Sequence, residues 1–146
     1  MISQTAEYAL RAMVFLAMNS SEPQITENIA RGTKVPSGYL SKVLQALVKA
    51  GLVRSQRGLG GGFVLSEDPE STSILDIVNS VDPIKRIESC PLDLDTHGMV
   101  LCALHKRLDE AIGMVEKAFG DTTLAEILAK PSKTAPLCDA AQCAKK

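Results

Sequence analysis

Four glycines within residues 58–62 are the most informative feature of this sequence for its fold, because they lie between two short apolar segments. Residues 52–56 and 63–65 have the composition of short strands, so the glycines predict the tip of a two-stranded β ribbon. A glycine cluster can also cradle phosphate, but that needs a following helix and a Lys-Ser/Thr pair. Neither is present here, so the ribbon is the better interpretation.

Three helices are predicted before the ribbon. The first carries an apolar stripe at helical spacing, made of Ala6, Ala9, Leu10, Met13, Val14 and Ala17. Thr26 is expected to cap a short second helix. The third is expected over residues 36–50, with Gly51 as its left-handed cap. Three helices followed by a ribbon is the order of a winged helix-turn-helix.

Two further helical regions follow the ribbon. Ser73 and Asp76 have the spacing of a capping box, which predicts a short helix over residues 74–81. Apolar residues three and four positions apart predict a long helix over residues 99–119, and Thr123 with Glu126 predicts a short closing helix. A helix of about 20 residues exceeds what a lone small domain needs, so we expect it to pair with a second copy.

The charge of the chain is unevenly divided. Residues 1–66 hold seven Lys and Arg against three Asp and Glu, whereas residues 67–146 hold nine against fourteen. A basic first half suggests that this part meets a polyanion. No apolar run approaches the ~20 residues of a membrane span, and residues 12–18 lack the basic leader of a signal peptide. We therefore expect a cytoplasmic protein with no membrane partner, whose four cysteines are thiols or metal ligands.

One face of the third helix has the side chains of a DNA reader. Short hydroxyls, an amide and lysines can reach base edges or phosphates from the major groove, although the same face also suits plain solvation. The glycine-rich tip lets the backbone approach DNA, and Arg57 beside it suits a narrow minor groove. The expected DNA-binding residues are Ser37, Tyr39, Ser41, Lys42, Gln45, Lys49, Arg54, Arg57 and Gly60.

Cysteine and histidine residues concentrate ahead of the long helix. Cys102 and His105 are three positions apart and share a helix face, so both can point at one atom while Cys90 reaches over from the preceding loop. Thiolates with imidazole suit iron–sulfur clusters or zinc. The alternative is that Cys102 fills the core and His105 lies on the surface. No nucleophile–base pair or paired carboxylates gather at a recognisable spacing, so an enzyme is not predicted.

Three stretches carry a resemblance to a known family. Residues 5–11 (TAEYALR), 35–40 (VPSGYL) and above all 51–63 (GLVRSQRGLGGGF) resemble the IscR/NsrR-like winged-helix iron–sulfur transcription regulators. The likeness extends over roughly residues 1–130 with all elements in order. It implies a homodimer on an approximately palindromic double-stranded operator, with the long helix at the dimer interface.

The resemblance also implies a metal sensor. Cluster-binding members typically have three cysteines here, and this chain matches two, as Cys90 and Cys102, with Thr96 at the middle position. Some members also use a histidine that matches His105. The fourth ligand would be His97, adjacent to Thr96, or Glu7, at the first-helix position where related regulators have an acidic ligand. Glu7 equally suits an ion pair with Arg11 one turn later.

The expected protein is thus mainly α, a winged helix-turn-helix with a two-stranded β wing and a long C-terminal dimerisation helix. Residues 1–82 would bind DNA, 83–98 would form a cluster-binding loop, 99–130 would dimerise and close the fold, and 131–146 would be disordered, with Cys138 and Cys143 as exposed thiols. The expected cofactor is a 2Fe-2S cluster, with zinc as the alternative. A regulator sensing through thiols or a metabolite, and an adaptor that binds protein instead of DNA, remain open.

Overall fold

A computed structural model describes residues 2–92, 100–129 and 136–137. In these ranges six helices surround a small core, and two antiparallel strands project from it. The elements are α1 (Gln4–Met18), α2 (Thr26–Thr33), α3 (Ser37–Lys49), β1 (Val53–Gln56), β2 (Gly62–Leu65), α4 (Ile74–Val81), α5 (Ala103–Gly120) and α6 (Leu124–Ala129). The predicted class, a mainly α winged helix-turn-helix, is confirmed.

The core forms where α1 meets α2, α3, α4 and α6. Three alanines of α1, Ala6, Ala9 and Ala12, are fully buried, and such small side chains let neighbouring helices approach closely. Leucines of α3 fill the space opposite, and Leu47 is completely covered. Burying each such leucine contributes on the order of 2 kcal/mol, so the apolar stripe of α3 holds this helix against α1.

The wing is a two-stranded antiparallel ribbon in which Val53 pairs with Leu65 and Gln56 with Gly62. Gln24 extends the sheet on its other side, since its backbone N–H donates to the Phe63 carbonyl and its carbonyl accepts from the Phe63 N–H. Gly62 has a φ of 151°, and a Cβ added there would lie 2.6 Å from the Gln24 carbonyl oxygen. Only glycine fits this position.

The caps of α3 and α4 agree with the sequence. Gly51 adopts a φ of 79°, and the Leu52 N–H donates to the Leu47 carbonyl, so the C-terminus of α3 ends in the expected left-handed cap. Ser73 and Asp76 form the predicted capping box of α4. At α2 the prediction was wrong by one residue. Ile25 is the N-cap, no side chain caps this helix, and Thr26 is its first residue.

The long helix begins later than predicted. Residue 99 lies outside the described ranges, but residues 100–102 are described and are not helical. Cys102, in an extended conformation, is the N-cap of α5. The apolar pattern continues backwards through Val100, yet Val100 is 75% exposed, so no packing draws it into the helix.

The closing helix returns to the core. Thr123 and Glu126 cap α6 reciprocally as expected, with the Glu126 N–H donating to Thr123 Oγ1. The backbone N–H of Leu124 donates to the Thr72 carbonyl, and the Leu124 side chain is fully buried beside α1. Most of the tail that was predicted to be disordered lies outside the described residues, although Leu137 packs against the core.

None of the described helices combines the length and the apolar character that crossing a bilayer needs.

Candidate nucleic-acid interface and cysteine–histidine site

The exposed side of α3 and the wing arginines form one surface, which we call the reader face. All nine residues expected to bind DNA are exposed, and they include Lys42, Lys49, Arg54 and Arg57. Within the part of the chain that the structure describes, none of these four cations forms an ion pair. Their charges are therefore available to a polyanion.

Tyr39 links the reader face to α1. Its ring packs edge-to-face against Tyr8, with 6.2 Å between the centroids, and remains 59% exposed. The Arg11 guanidinium lies 5.7 Å from the Tyr8 centroid, and Arg11 Nη1 donates to the carbonyl of Thr33, the last residue of α2 before the turn to α3. These contacts fix the start of α3 relative to α1.

The wing tip projects into solvent. Arg54 lies on β1 opposite Val64, and Arg57 follows the end of β1. Gly58 and Gly60 adopt positive φ values of 97° and 73°, which L side chains rarely adopt. The glycines therefore serve the sharp turn of the tip and keep it thin enough to enter a groove.

Cys90, Cys102 and His105 meet in space, and we call them the sulfur–imidazole site. Cys102 Sγ lies 3.3 Å from His105 Nδ1, and Cys90 Sγ lies 4.0 Å from the same nitrogen. Cys90 is 7% exposed, whereas Cys102 is half-buried at the N-terminus of α5. The positive end of the helix dipole favours negative charge at this position.

The other two expected ligands do not join them in the described ranges. His97 lies outside these ranges, as do Cys138 and Cys143. Glu7 lies on α1, where its carboxylate accepts a hydrogen bond from Arg11 Nε over 2.6 Å. No described hydrogen bond joins Glu7 to the sulfur–imidazole site, so the ion-pair interpretation of Glu7 holds within one protomer.

The donor chemistry of the site fits a two-iron cluster. Two thiols and one imidazole match the cysteine and histidine ligands that such clusters accept. Among the described residues no three His, Cys, Asp or Glu side chains form a site for a single metal ion. A two-iron cluster distributes its ligands over two metals, so the three donors need not converge on one point. If such a cluster were bound, these residues would supply three of its four ligands.

A fork of hydrogen bonds, which we call the clamp, joins the linker (residues 83–92) to α5. Arg86 Nε and Nη2 donate to the two carboxylate oxygens of Asp109 over 2.7 and 2.6 Å. Arg86 Nη1 donates to Glu116 over 3.3 Å, and the Ile87 N–H donates to Asp109 over 2.9 Å. A Cβ on Gly113 would lie 3.1 Å from Arg86 Nη1, so the missing side chain makes room for the guanidinium.

The clamp changes the acidity of both partners. Hydrogen bonds from Arg86 and from the Ile87 N–H lower the pKa of Asp109 to about 2 from 3.8. The carboxylates of Asp109 and Glu116 in turn raise the pKa of Arg86 above its ordinary value. Both groups are therefore charged at neutral pH. The sequence reasoning missed this interaction, because its partners are 23 and 30 positions apart and no local period connects them.

An apolar stripe follows the outer side of α5. Leu104, Leu108 and Met114 are 64%, 47% and 65% exposed, and Ala111 and Ala118 continue the line. No residue of α5 is buried. The side chains of Ile112 and Val115 turn instead toward α1 and α4, where they line a cavity of about 360 Å³.

The fold and the reader face define a DNA-binding winged-helix protein. Residues 2–130 match the Rrf2 family, described as iron-dependent transcriptional regulators, and the chain belongs to this family. It is a transcription regulator and not an enzyme, and the resemblance to IscR-like regulators is confirmed.

Individual relatives agree with this assignment. The HTH-type transcriptional regulator IscR of Photobacterium profundum is 28% identical over 128 residues, which cover 87% of this chain and 74% of the relative. The solved structure of T. potens IscR is 26% identical with a TM-score of 0.73, covering 88% of this chain and 85% of that one. CymR, the global cysteine regulator of B. subtilis, is 27% identical with a TM-score of 0.75, covering 90% and 98%.

The lowered pKa of Asp109 predicts a pH dependence of stability. Because the folded pKa of about 2 lies below the ordinary 3.8, the contribution of the clamp is complete above about pH 4 and is lost as the pH falls toward 2. Asp109→Asn should remove this part of the pH dependence in urea unfolding between pH 2 and 6. Asp121→Asn, which affects only an exposed pair with Lys117, should retain it. Equal pH profiles for wild type and Asp109→Asn would contradict the assignment.

Proposed function

We propose that the protein is a homodimeric regulator that reads an approximately palindromic operator and senses a signal through its sulfur–imidazole site. The observation that carries the proposal is the meeting of Cys90, Cys102 and His105 between the DNA-binding core and α5. The reader face and the sulfur–imidazole site then belong to one short chain, and a change at the site can affect the reader face. A regulator of this kind works in the cytoplasm, where it meets DNA.

Different parts of the reader face suit the major groove and the minor groove of DNA. Ser37, Ser41 and Gln45 are exposed along one line of α3, and Ser41 Oγ donates to the Ser37 carbonyl. Hydroxyls and amides of this kind suit base edges. Arg57, beside the thin tip of the wing, suits the negative potential of a narrow minor groove.

Arg57→Ala should weaken binding to a duplex selected from random sequence by about tenfold, because one charged contact to DNA is worth ~1–3 kcal/mol. The slope of log affinity against log salt should also become shallower by about 1. Lys117→Ala, which removes an exposed cation of α5 away from both the reader face and the apolar stripe, is the matched control. Equal affinities for the two variants would refute the role of the wing.

The outer stripe of α5 supports a dimer. Five apolar side chains in one line would face water in a lone protomer, which is unfavourable, whereas a second copy of the same helix would cover them. A dimer axis at α5 would also present two α3 helices to one operator. Half-sites one helical turn apart are then read together.

Leu108→Asp should dissociate the dimer, because it places a charge in the middle of the stripe. Light scattering should give twice the 15.6 kDa of one chain for the wild type. At the same concentration the variant should have the mass of one chain. Lys106→Asp introduces the same side chain on the opposite side of α5 and should leave the mass doubled. A monomeric wild type, or a dimeric Leu108→Asp variant, would overturn the interface.

A 2Fe-2S cluster is the cofactor that the family and the donor set favour. Cys90, Cys102 and His105 would hold it, with the fourth ligand from His97 or from Glu7 of either protomer. When bound, such a cluster supplies one-electron redox chemistry, and imidazole in place of thiolate raises its potential. The protein's own part is to exclude water around buried Cys90 and to aim the donors from the linker and from α5.

A thiol switch is the second candidate, favoured by the 3.3 Å separation of Cys102 Sγ from His105 Nδ1. The imidazole can accept the thiol proton and so prepare a nucleophilic thiolate. Cys90 and Cys102 would then form a disulfide, while an oxidised low-molecular-weight disulfide takes up the two electrons and two protons and becomes two thiols. Zinc at the same donors is a further possibility, and it would leave the protein colourless.

Either chemistry would act on the angle between the two reader faces. The linker follows α4 of the DNA-binding core, and its Cys90 meets Cys102 and His105 at the start of α5. A ligand or disulfide that favours one arrangement shifts the population toward it, and a small rotation breaks the match to the two half-sites. Cys102→Ala should therefore abolish the response to the signal while DNA binding itself remains.

A further inference from the structure

We infer that Arg86 and Asp109 are positioning residues of the sulfur–imidazole site. The clamp holds Cys90 against Cys102 and His105 and so sets the affinity of the site for a thiophilic metal. This inference rests on the proposed sensor function of the three residues. It adds to that function a device outside the ligand set that keeps Cys90 close to the other two donors, although the three do not form a complete site for a single ion among the described residues.

The geometry of α5 places the clamp next to the site. Asp109 follows His105 by four positions, so the two side chains lie about one turn apart on the same face of the helix. On the linker, Arg86 precedes Cys90 by four positions, and four residues of fully extended chain span at most ~14 Å. The same two segments therefore meet twice, once at the clamp and once at the sulfur atoms.

The clamp is the main described attachment of the linker to α5. Apart from the contact of Cys90 with His105, each described hydrogen bond between residues 83–92 and α5 ends on Asp109 or Glu116. The start of the linker is bonded to α4 instead, since the Ile84 N–H donates to Asn79 Oδ1. Without the clamp, the contact with His105 would be the one described hydrogen bond that holds this segment to α5.

The side chains chosen for the clamp suit a positioning role. Arginine can donate two parallel hydrogen bonds to one carboxylate and so fixes orientation, which a lysine cannot do. Glycine inside a helix is less favourable than alanine, yet Gly113 lies where the guanidinium approaches α5. The helix therefore accepts a local cost that accommodates Arg86.

The loss of the clamp should weaken metal binding, because Cys90 must then be ordered at the moment of binding. Residues that orient ligands from outside the ligand set typically contribute ten- to a hundredfold in metal affinity. We therefore expect Arg86→Gln to lower affinity by about that factor, and Arg86→Lys by less. Arg107→Gln removes another arginine–carboxylate pair of α5 that does not touch the linker, and it should stay within about twofold of the wild type.

The test uses Cd²⁺ alone as the probe, in the full chain with Cys138→Ser and Cys143→Ser, and follows the thiolate-to-cadmium absorption during competition with a chelator. A double-mutant cycle with Cys90→Ser separates positioning from general structure. If the clamp acts through Cys90, Arg86→Gln should change nothing further once Cys90 is serine.

The possible outcomes distinguish a failure of the sulfur–imidazole site from a failure of the clamp alone. A wild type without cadmium–thiolate absorption would refute the sulfur–imidazole site itself, and the clamp role with it. Equal affinities for wild type and Arg86→Gln would overturn the clamp role alone. If Arg86→Gln lowers the cadmium affinity as much in the Cys90→Ser background as in the wild type, Arg86 acts through the fold in general. That result would also overturn the inference.

Discussion

The position of α5 depends on attachments at its two ends, because none of its residues is buried in the described protomer. At its C-terminal end α6 returns to the core and buries Leu124 beside α1. Nearer its N-terminal end, Cys90 meets His105 and Arg86 binds Asp109, while the same guanidinium also reaches Glu116 in the C-terminal half of the helix. One end is thus fixed by apolar packing, and the other by polar contacts that respond to charge, redox state and ligands. A signal that acts at the sulfur–imidazole site therefore acts on the more adjustable end.

Local patterns predicted most of this fold. Helical spacing of apolar residues identified the core face of α1 and α3, and the cap residues Gly51 and Ser73 lie where the spacing indicated. Each of these features is decided within about one turn of chain, so sequence is sufficient to find it. The start of α5 was misplaced because an apolar residue at the right spacing, Val100, has nothing described to pack against.

Long-range contacts explain what the sequence could not reveal. The pairing of Gln24 with Phe63 and the grip of Arg86 on Asp109 join residues far apart in the chain. Neither has a period or a motif. For the candidate site, three of the predicted metal ligands do meet, and their spacing was informative because Cys102 and His105 are close neighbours. Glu7 and His97 depend on a partner protomer or on residues outside the described ranges, so their roles stay predictions.

The resemblance to cluster-binding regulators implies a cysteine at the position where this chain has Thr96. The three remaining donors suit a cluster, and the two cysteines among them suit a thiol switch. What the account requires in either case is that the state of Cys90, Cys102 and His105 controls the reader face.

Anaerobically purified protein tests this requirement most directly, when its iron, sulfide and zinc are measured and its duplex affinity is compared before and after oxidation. The account predicts a coloured protein with iron and sulfide bound, and a change in duplex affinity that Cys102→Ala removes. A colourless, metal-free protein whose affinity still changes through Cys102 would replace the cluster by the thiol switch. An affinity that is the same in every state of the site would contradict the account.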